Sequence, residues 1–167
     1  MRHHNSDLLL HYFVRGEFGP TPQRAMDWWE MMDPAVLVRL DVFRNMWNDS
    51  FMVSPHGRAL GRLDNVSNTS DHNVEKRGRV QCVDGFPAGM TTQKDAEKAK
   101  ELARQCGFSS IGLYPHWRPS PGLHLGIRLG AGGRNPMAEW GAVRTPDGKQ
   151  KFVSWEEALR QLPKGET

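Results

Sequence analysis

Histidine and aspartate residues occur at three places in the sequence where a short apolar run meets polar residues. His72 follows Asp71 in a polar stretch, Asp84 ends one apolar run, and His124 lies between two leucines of another. Two neutral imidazoles and one carboxylate are a common protein ligand set for catalytic zinc, with the fourth position left to water. The metal would acidify that water or polarise a carbonyl. By composition alone the set is not specific, because the chain has seven histidines, and surface or core histidines are the alternative.

The apolar pattern predicts the strands that must position these residues. Leucine and isoleucine alternate with His124, Gly126 and Arg128 over residues 123–129, which predicts a strand with one core face and one polar face. Shorter strands are predicted over residues 51–54, 80–84 and 109–113. The polar, irregular stretch from His56 to Arg79 is long for a loop in so small a chain, and long ordered loops are often functional.

Capping residues mark the predicted helices. Thr21-Pro22 and Asp33-Pro34 each place a capping side chain before a proline at the first helical position, where proline is well tolerated. Thr92 and Ser154 are each followed three residues later by an acidic residue, as in a capping box. Four helices are predicted in this way, over residues 21–32, 33–48, 92–106 and 154–162. The sequence therefore predicts an α+β domain with N-terminal helices, a small antiparallel sheet and an irregular C-terminal tail.

Length and charge exclude several classes of protein. The 167 residues fit one domain, and the net charge of +3 is a mild excess that suits an anionic surface without demanding one. No stretch reaches the roughly 18 apolar residues of a membrane span, and residues 8–14 are too short for a signal-peptide core. Cys82 and Cys106 are too few for a disulfide framework and are predicted to be thiols. No nucleic-acid-binding motif is present, so nucleic acid is not an expected partner.

Several motifs follow one another in an order that carries more information than any one of them. They are Phe13 to Phe18, containing Glu17; Arg58 and Arg62 after the first strand; Ser70-Asp71-His72; Gly78-Arg79; Asp84; Ile111-Gly112-Leu113-Tyr114-Pro115; and His124. In this order the chain resembles the M15 group of zinc D-Ala-D-Ala carboxypeptidases and endopeptidases, especially its short phage and cell-wall forms. The resemblance covers about residues 12–130. Residues 131–167 would form a C-terminal extension of the same single domain, which spans residues 1–167.

The resemblance implies a fold, a metal and a substrate. It implies the D-Ala-D-Ala peptidase or hedgehog-like fold, with Zn²⁺ bound by His72, Asp84 and His124. One of Arg58 or Arg62 would hold a substrate carboxylate or carbonyl, for which a guanidinium offers bidentate recognition. The implied substrates are the peptide stems of peptidoglycan. Such a protein would be made in the bacterial cytoplasm and would act at the cell wall or within a phage virion.

The sequence departs from the family pattern at the general base. The family usually places a proton-transferring residue just before the last zinc histidine or two residues after it, and here those positions hold Pro121, Gly122 and Gly126. Loss of a base costs roughly 10² to 10⁴ in rate. The residues that could replace it are Asp71, Glu75, His116 and Glu139. Residues 73–77 also lengthen the spacing between the first two ligands, which a loop can tolerate.

Two alternatives to an active enzyme follow from these departures. The chain could be a catalytically degenerate structural component of a phage virion or tail, with other virion proteins as partners. It could also keep zinc only to tie the long polar loop to the sheet. The aromatic side chains of Trp117 and Trp140 would lie beside the site, either contacting substrate or covering the sheet, and Arg128 would share a face with His124.

Overall fold

The computed structural model describes residues 5–64, 66–128 and 136–165. Its strands are β1 (Phe51–Val53), β2 (Cys82–Pro87), β3 (Ser110–Tyr114), β4 (Gly122–Gly126), β5 (Ala138–Arg144) and β6 (Gln150–Val153). Its α-helices are α1 (Pro34–Trp47), α2 (Val74–Arg77), α3 (Gln93–Gln105) and α4 (Trp155–Leu159). The predicted α+β class is confirmed. Within the described ranges, no helix has the length and apolar character needed to cross a membrane.

The six strands form one sheet in the order β1-β2-β4-β3-β5-β6. All neighbouring strands are antiparallel except β3 and β5, which are parallel. The register places Asp84 of β2 beside His124 of β4, and His124 beside Gly112 of β3. Because side chains alternate along a strand, Cys82 lies on the same face as these residues. One face of the sheet therefore carries the predicted site.

The helices cover the opposite, apolar face. Helix α1 begins where the Asp33 side chain accepts a hydrogen bond from the backbone N–H of Ala35, and α3 begins with a reciprocal capping box between Thr92 and Asp95. These local signals place both helices where the sequence predicts them. The buried side chains of α1 are Val36, Leu37, Leu40, Phe43 and Trp47. Together with the inward-facing residues of β2, β3 and β4 they form the hydrophobic core.

The helix predicted over residues 21–32 is wrong. Thr21 and Arg24 instead exchange two backbone hydrogen bonds of 2.7 and 3.1 Å, and a short 3₁₀ turn forms only at Trp29–Met31. The buried Arg24 guanidinium donates to three backbone carbonyls, those of Glu17, Gly19 and Ser54. A threonine followed by proline also suits a tight turn, and here the turn is stabilised by these long-range contacts of Arg24.

The C-terminal tail is also more regular than predicted. Strands β5 and β6 form a hairpin, and α4, capped by Ser154 as predicted, packs against β5. Asp147-Gly148, with Gly148 at φ +81°, is a frequent hairpin signal that could have revealed these strands. In the described part of β4 the strand ends at Gly126, and β2 extends past its predicted end to Pro87. Leu129, the predicted end of β4, lies outside the described residues.

Substitution of Gly141 tests how closely α4 packs on β5. A Cβ at this position would lie 2.2 Å from the Cβ of Ala158, so Gly141→Ala must push the helix away. We expect the free energy of unfolding to fall by about 1–3 kcal/mol, measured by urea denaturation. Gly16→Ala is the control, because no atom lies within 4 Å of its added Cβ, and its effect should stay within about 0.5 kcal/mol. Equal effects of the two substitutions would contradict the packing.

Candidate functional site

Four buried side chains meet at the centre of the sheet face that the helices leave open. Asp84 and His124 face each other across β2 and β4, and Cys82 lies two residues before Asp84 on the same face. His72 comes from the long loop between β1 and β2. That loop segment is fixed by hydrogen bonds from the N–H of Arg62 to the carbonyl of His72 and from the N–H of Val74 to the carbonyl of Arg62. The four side chains belong to residues that are at most 5% exposed.

Each imidazole has one nitrogen held by an outer partner and the other directed at Asp84. His72 donates through Nδ1 to the carbonyl of Leu60, and its Nε2 lies 3.6 Å from Oδ2 of Asp84. His124 contacts Oδ2 of Asp71 through Nε2 at 3.1 Å and Oδ1 of Asp84 through Nδ1 at 2.9 Å. A carboxylate or carbonyl on the second nitrogen is the usual way in which a metal-binding histidine is oriented.

The centre could hold a metal ion. One nitrogen from each of His72 and His124 and the Sγ of Cys82 all lie within 4.8 Å of one another, and all three residues are buried. Imidazole nitrogen, thiolate sulfur and carboxylate oxygen are the donors that zinc takes in proteins. The predicted ligands are thus brought together, and Cys82 joins them. Cys82 was not among the predicted ligands, although its position two residues before Asp84 in a strand places both side chains on one face.

The electrostatics of the metal-free centre are those of a buried ion cluster. Burial favours the neutral form of Asp84 and of Asp71, yet the neighbouring imidazoles hold the pKa of each carboxyl well below its usual range. Burial lowers the pKa of His124, but its hydrogen bonds to the two carboxylates outweigh this and raise the pKa to about 9. Asp71 also accepts from Nε of Arg128 at 3.1 Å, so two anions are matched by two cations.

A cleft of about 470 Å³ opens on this centre. Its lining includes Asp84 together with both predicted substrate-binding arginines, Arg58 and Arg62, and the predicted base candidate His116. Burial lowers the pKa of Arg62, while the nearby Asp84 carboxylate opposes this effect. Basic side chains dominate the described lining, which also includes His56, Arg118 and Arg144. The cleft therefore favours an anionic ligand.

Three of the predicted replacement bases lie elsewhere or are already engaged. Glu139 pairs in register with Ile111 and thus lies on the helix-covered face, where its carboxylate accepts from Arg104 of α3 at 2.6 Å. Glu75 is exposed on α2. Asp71 is buried against His124 on the side away from Asp84. The prediction of Glu139 as a catalytic residue is corrected by the parallel register of β3 and β5.

Two glycines of β4, Gly122 and Gly126, lie close to side chains from elsewhere in the site. A Cβ on Gly126 would lie 3.0 Å from Nε2 of His124 and 3.2 Å from Oδ2 of Asp71. A Cβ on Gly122 would lie 2.4 Å from a ring carbon of Trp117. The Asp71 carboxylate and the Trp117 indole, both supplied by loops, thus occupy the space that larger residues would need.

The tryptophans divide between core and site. Trp28, Trp29 and Trp47 are buried in the hydrophobic core. Trp117 stacks on Tyr114 with ring centroids 3.6 Å apart and lines the cleft. Trp140 lies 5.3 Å from the His124 ring and covers the sheet there.

No protein-family model, curated protein or solved structure matches this chain. The resemblance to the M15 group therefore stays a prediction from the sequence.

The His124 ion cluster predicts a pH-dependent stability of the metal-free protein. The pKa of His124 is raised to about 9 in the folded state, above the value of about 6.5 in an unfolded chain. The resulting stabilisation is fully present below about pH 6.5 and is lost as the pH rises through 9. Chemical denaturation with a chelator present should therefore show stability falling between pH 6.5 and 9. His124→Gln should flatten this slope, and an unchanged slope would contradict the cluster.

Proposed function

We propose that this chain is a zinc-dependent peptidoglycan peptidase that hydrolyses a D-Ala-containing peptide bond. The observation that carries the proposal is the convergence of His72 and His124 on Asp84 beside a cationic cleft. The ordered sequence motifs supply the substrate class. The protein would act at the bacterial cell wall, as a phage-encoded or cell-wall enzyme.

The metal would be held by His72, Asp84 and His124, with the Cys82 thiol as a further donor. Nδ1 of His72 and Nε2 of His124 are already committed to Leu60 and Asp71, which leaves Nε2 of His72 and Nδ1 of His124 for the metal. Bound zinc supplies a Lewis acid and lowers the pKa of a coordinated water. The outer partners fix the orientation of the imidazole rings and increase their basicity.

One of Arg58 or Arg62 would bind the substrate carboxylate. Both line the cleft that Asp84 also lines, and Arg62 is close enough to Asp84 for the two charges to interact. A guanidinium presents paired N–H donors that match a carboxylate. A peptide ending in a free carboxylate would be held with its last bonds beside the metal centre.

His116 is the remaining candidate for proton transfer. Burial, with a contribution from the nearby Arg144 charge, lowers the pKa of His116 below its ordinary value. Its imidazole is therefore neutral at pH 7 and able to accept a proton from an attacking water. The residue lines the same cleft as Asp84, and to act as the base it must come within hydrogen-bond reach of the attacking water.

A second candidate function is a structural role in a phage virion or tail. The specific observation in its favour is that Pro121, Gly122 and Gly126 occupy the positions where the M15 group usually keeps its proton-transferring residue. On this proposal the fold is retained, hydrolysis is lost, and the partners are other virion proteins. A stable complex with such proteins and no turnover of muropeptides would favour it.

The metal assignment predicts one zinc per chain. In untagged protein, elemental mass spectrometry should find about one zinc per wild-type chain, as expected for one tetrahedral site. His124→Ala should lose it. His56→Ala is the matched control, because His56 lines the cleft without belonging to the cluster, and it should keep its zinc. Absence of zinc from the wild type after reconstitution would contradict the proposal.

The base assignment predicts a separation of activity from metal content. His116→Gln should lower kcat/KM for muropeptides by about 10² to 10⁴-fold and leave the zinc content unchanged. In the wild type, kcat/KM should rise with pH through a pKa below the ordinary value of about 6.5 for histidine, and this limb should vanish in the variant. Glu139→Gln, on the opposite face, is the control and should remain active. A variant at His116 with full activity would assign the base elsewhere.

A further inference from the structure

The β5–β6 hairpin adds a second basic group to the cleft. Arg144 and Gln150 are cross-strand partners, and alternation places Arg144 on the same face as Trp140, whose ring lies near His124. Arg144 and Gln150 line the cleft together with His116 and Arg118. This hairpin lies beyond the segment that resembles the M15 group, so the family pattern assigns it no role.

The basic group has no carboxylate of the protein to neutralise it. Among the described residues that line the cleft, Asp84 is the single acidic side chain, against four arginines. No ion pair of the described chain involves Arg118 or Arg144. Arg118 donates to the backbone carbonyls of His116 and Trp117 at 3.4 and 3.1 Å. These two guanidinium groups are therefore placed to receive an anion from a ligand.

The two basic groups come from different segments of the chain. Arg58 and Arg62 lie in the loop between β1 and β2, whereas Arg118 lies between β3 and β4 and Arg144 belongs to β5. All four arginines line one cleft, so the cleft favours a ligand with more than one anionic group.

We propose that Arg118 and Arg144 form a second anion subsite, which binds a further carboxylate of the peptide whose terminal carboxylate is held by Arg58 or Arg62. Gln150 would contribute an amide donor to the same group. The inference rests on the proposed function and deepens it, because it defines the substrate class as a peptide with two carboxylates. The subsite would select such peptides over those in which the inner carboxylate is masked.

The test compares two synthetic pentapeptides. One is L-Ala-γ-D-Glu-L-Lys-D-Ala-D-Ala, and the other differs only in that the α-carboxylate of its D-Glu is an amide. Recognition by the full, zinc-loaded chain is measured as kcat/KM where mass spectrometry shows that the peptides are cleaved, and as Kd by calorimetry where they stay intact. We expect amidation to weaken wild-type recognition about tenfold, as for loss of a charge-assisted hydrogen bond.

Substitutions test which side chains distinguish the free D-Glu α-carboxylate from its amide. The double substitution Arg118→Gln and Arg144→Gln should reduce the effect of amidation to less than about twofold, since both side chains are exposed and their loss spares the fold. Arg144→Lys keeps the charge but loses the planar guanidinium, so it should retain part of the effect of amidation. Arg160→Gln removes an exposed arginine after α4 and should behave as wild type.

The outcomes separate the two proposals. Equal wild-type recognition of both peptides would overturn the subsite while leaving the peptidase proposal standing. Full discrimination in the double variant would likewise overturn it, because another group would then read the carboxylate. Failure of the wild type to bind either peptide would overturn both proposals.

Discussion

The structure depends on an ionised carboxylate, Asp84, buried between two imidazoles. A buried charge is costly unless it is paired and hydrogen-bonded, and Asp84 meets both His124 and His72. His124 is supplied by the antiparallel register of β2 and β4. His72 arrives on a loop, so the chain between β1 and β2 must fold back over the sheet and be held there. The Leu60 carbonyl and the backbone bonds of Arg62 do this. The long irregular loop thus supplies the second imidazole that contacts Asp84.

The two faces of the sheet differ in the size of their side chains. The helix-covered face is filled by large apolar side chains, whereas the site face has Gly112, Gly122 and Gly126 on its central strands. At each of these positions an added Cβ would come within about 3.0 Å of a functional or covering side chain. Small residues therefore allow loop-borne groups to approach the strands closely. Gly126 and Gly122 thereby make room for Asp71 and Trp117.

Local signals predicted the parts of the fold that depend on neighbours in sequence. The capping residues of α1, α3 and α4 and the alternation around His124 are of this kind, and the structure confirms them. The parts of the fold that were not predicted depend on strand register and on long-range contacts. Glu139 faces the helices because β5 runs parallel to β3, and the segment after Thr21 turns because Arg24 reaches distant carbonyls. The alternation of side chains along β2 that places Asp84 in the site also places Cys82 there. The number of cysteines alone indicated only that Cys82 is a free thiol.

The charge of the centre and that of the cleft are coupled. In the metal-free state, Asp71 and Asp84 are balanced by His124 and Arg128, so the centre neither attracts nor repels an anion strongly. A divalent cation held by His72, Asp84 and His124 displaces one proton from His124 and so adds one net positive charge beside a cleft already lined by arginines. In that three-ligand site, with Cys82 remaining a thiol, an anionic ligand should bind more tightly to the metal-loaded protein. By thermodynamic reciprocity the ligand must strengthen metal binding by the same factor. The cationic cleft and the buried carboxylates thus act as one electrostatic unit, in which neither site can be filled without changing the affinity of the other.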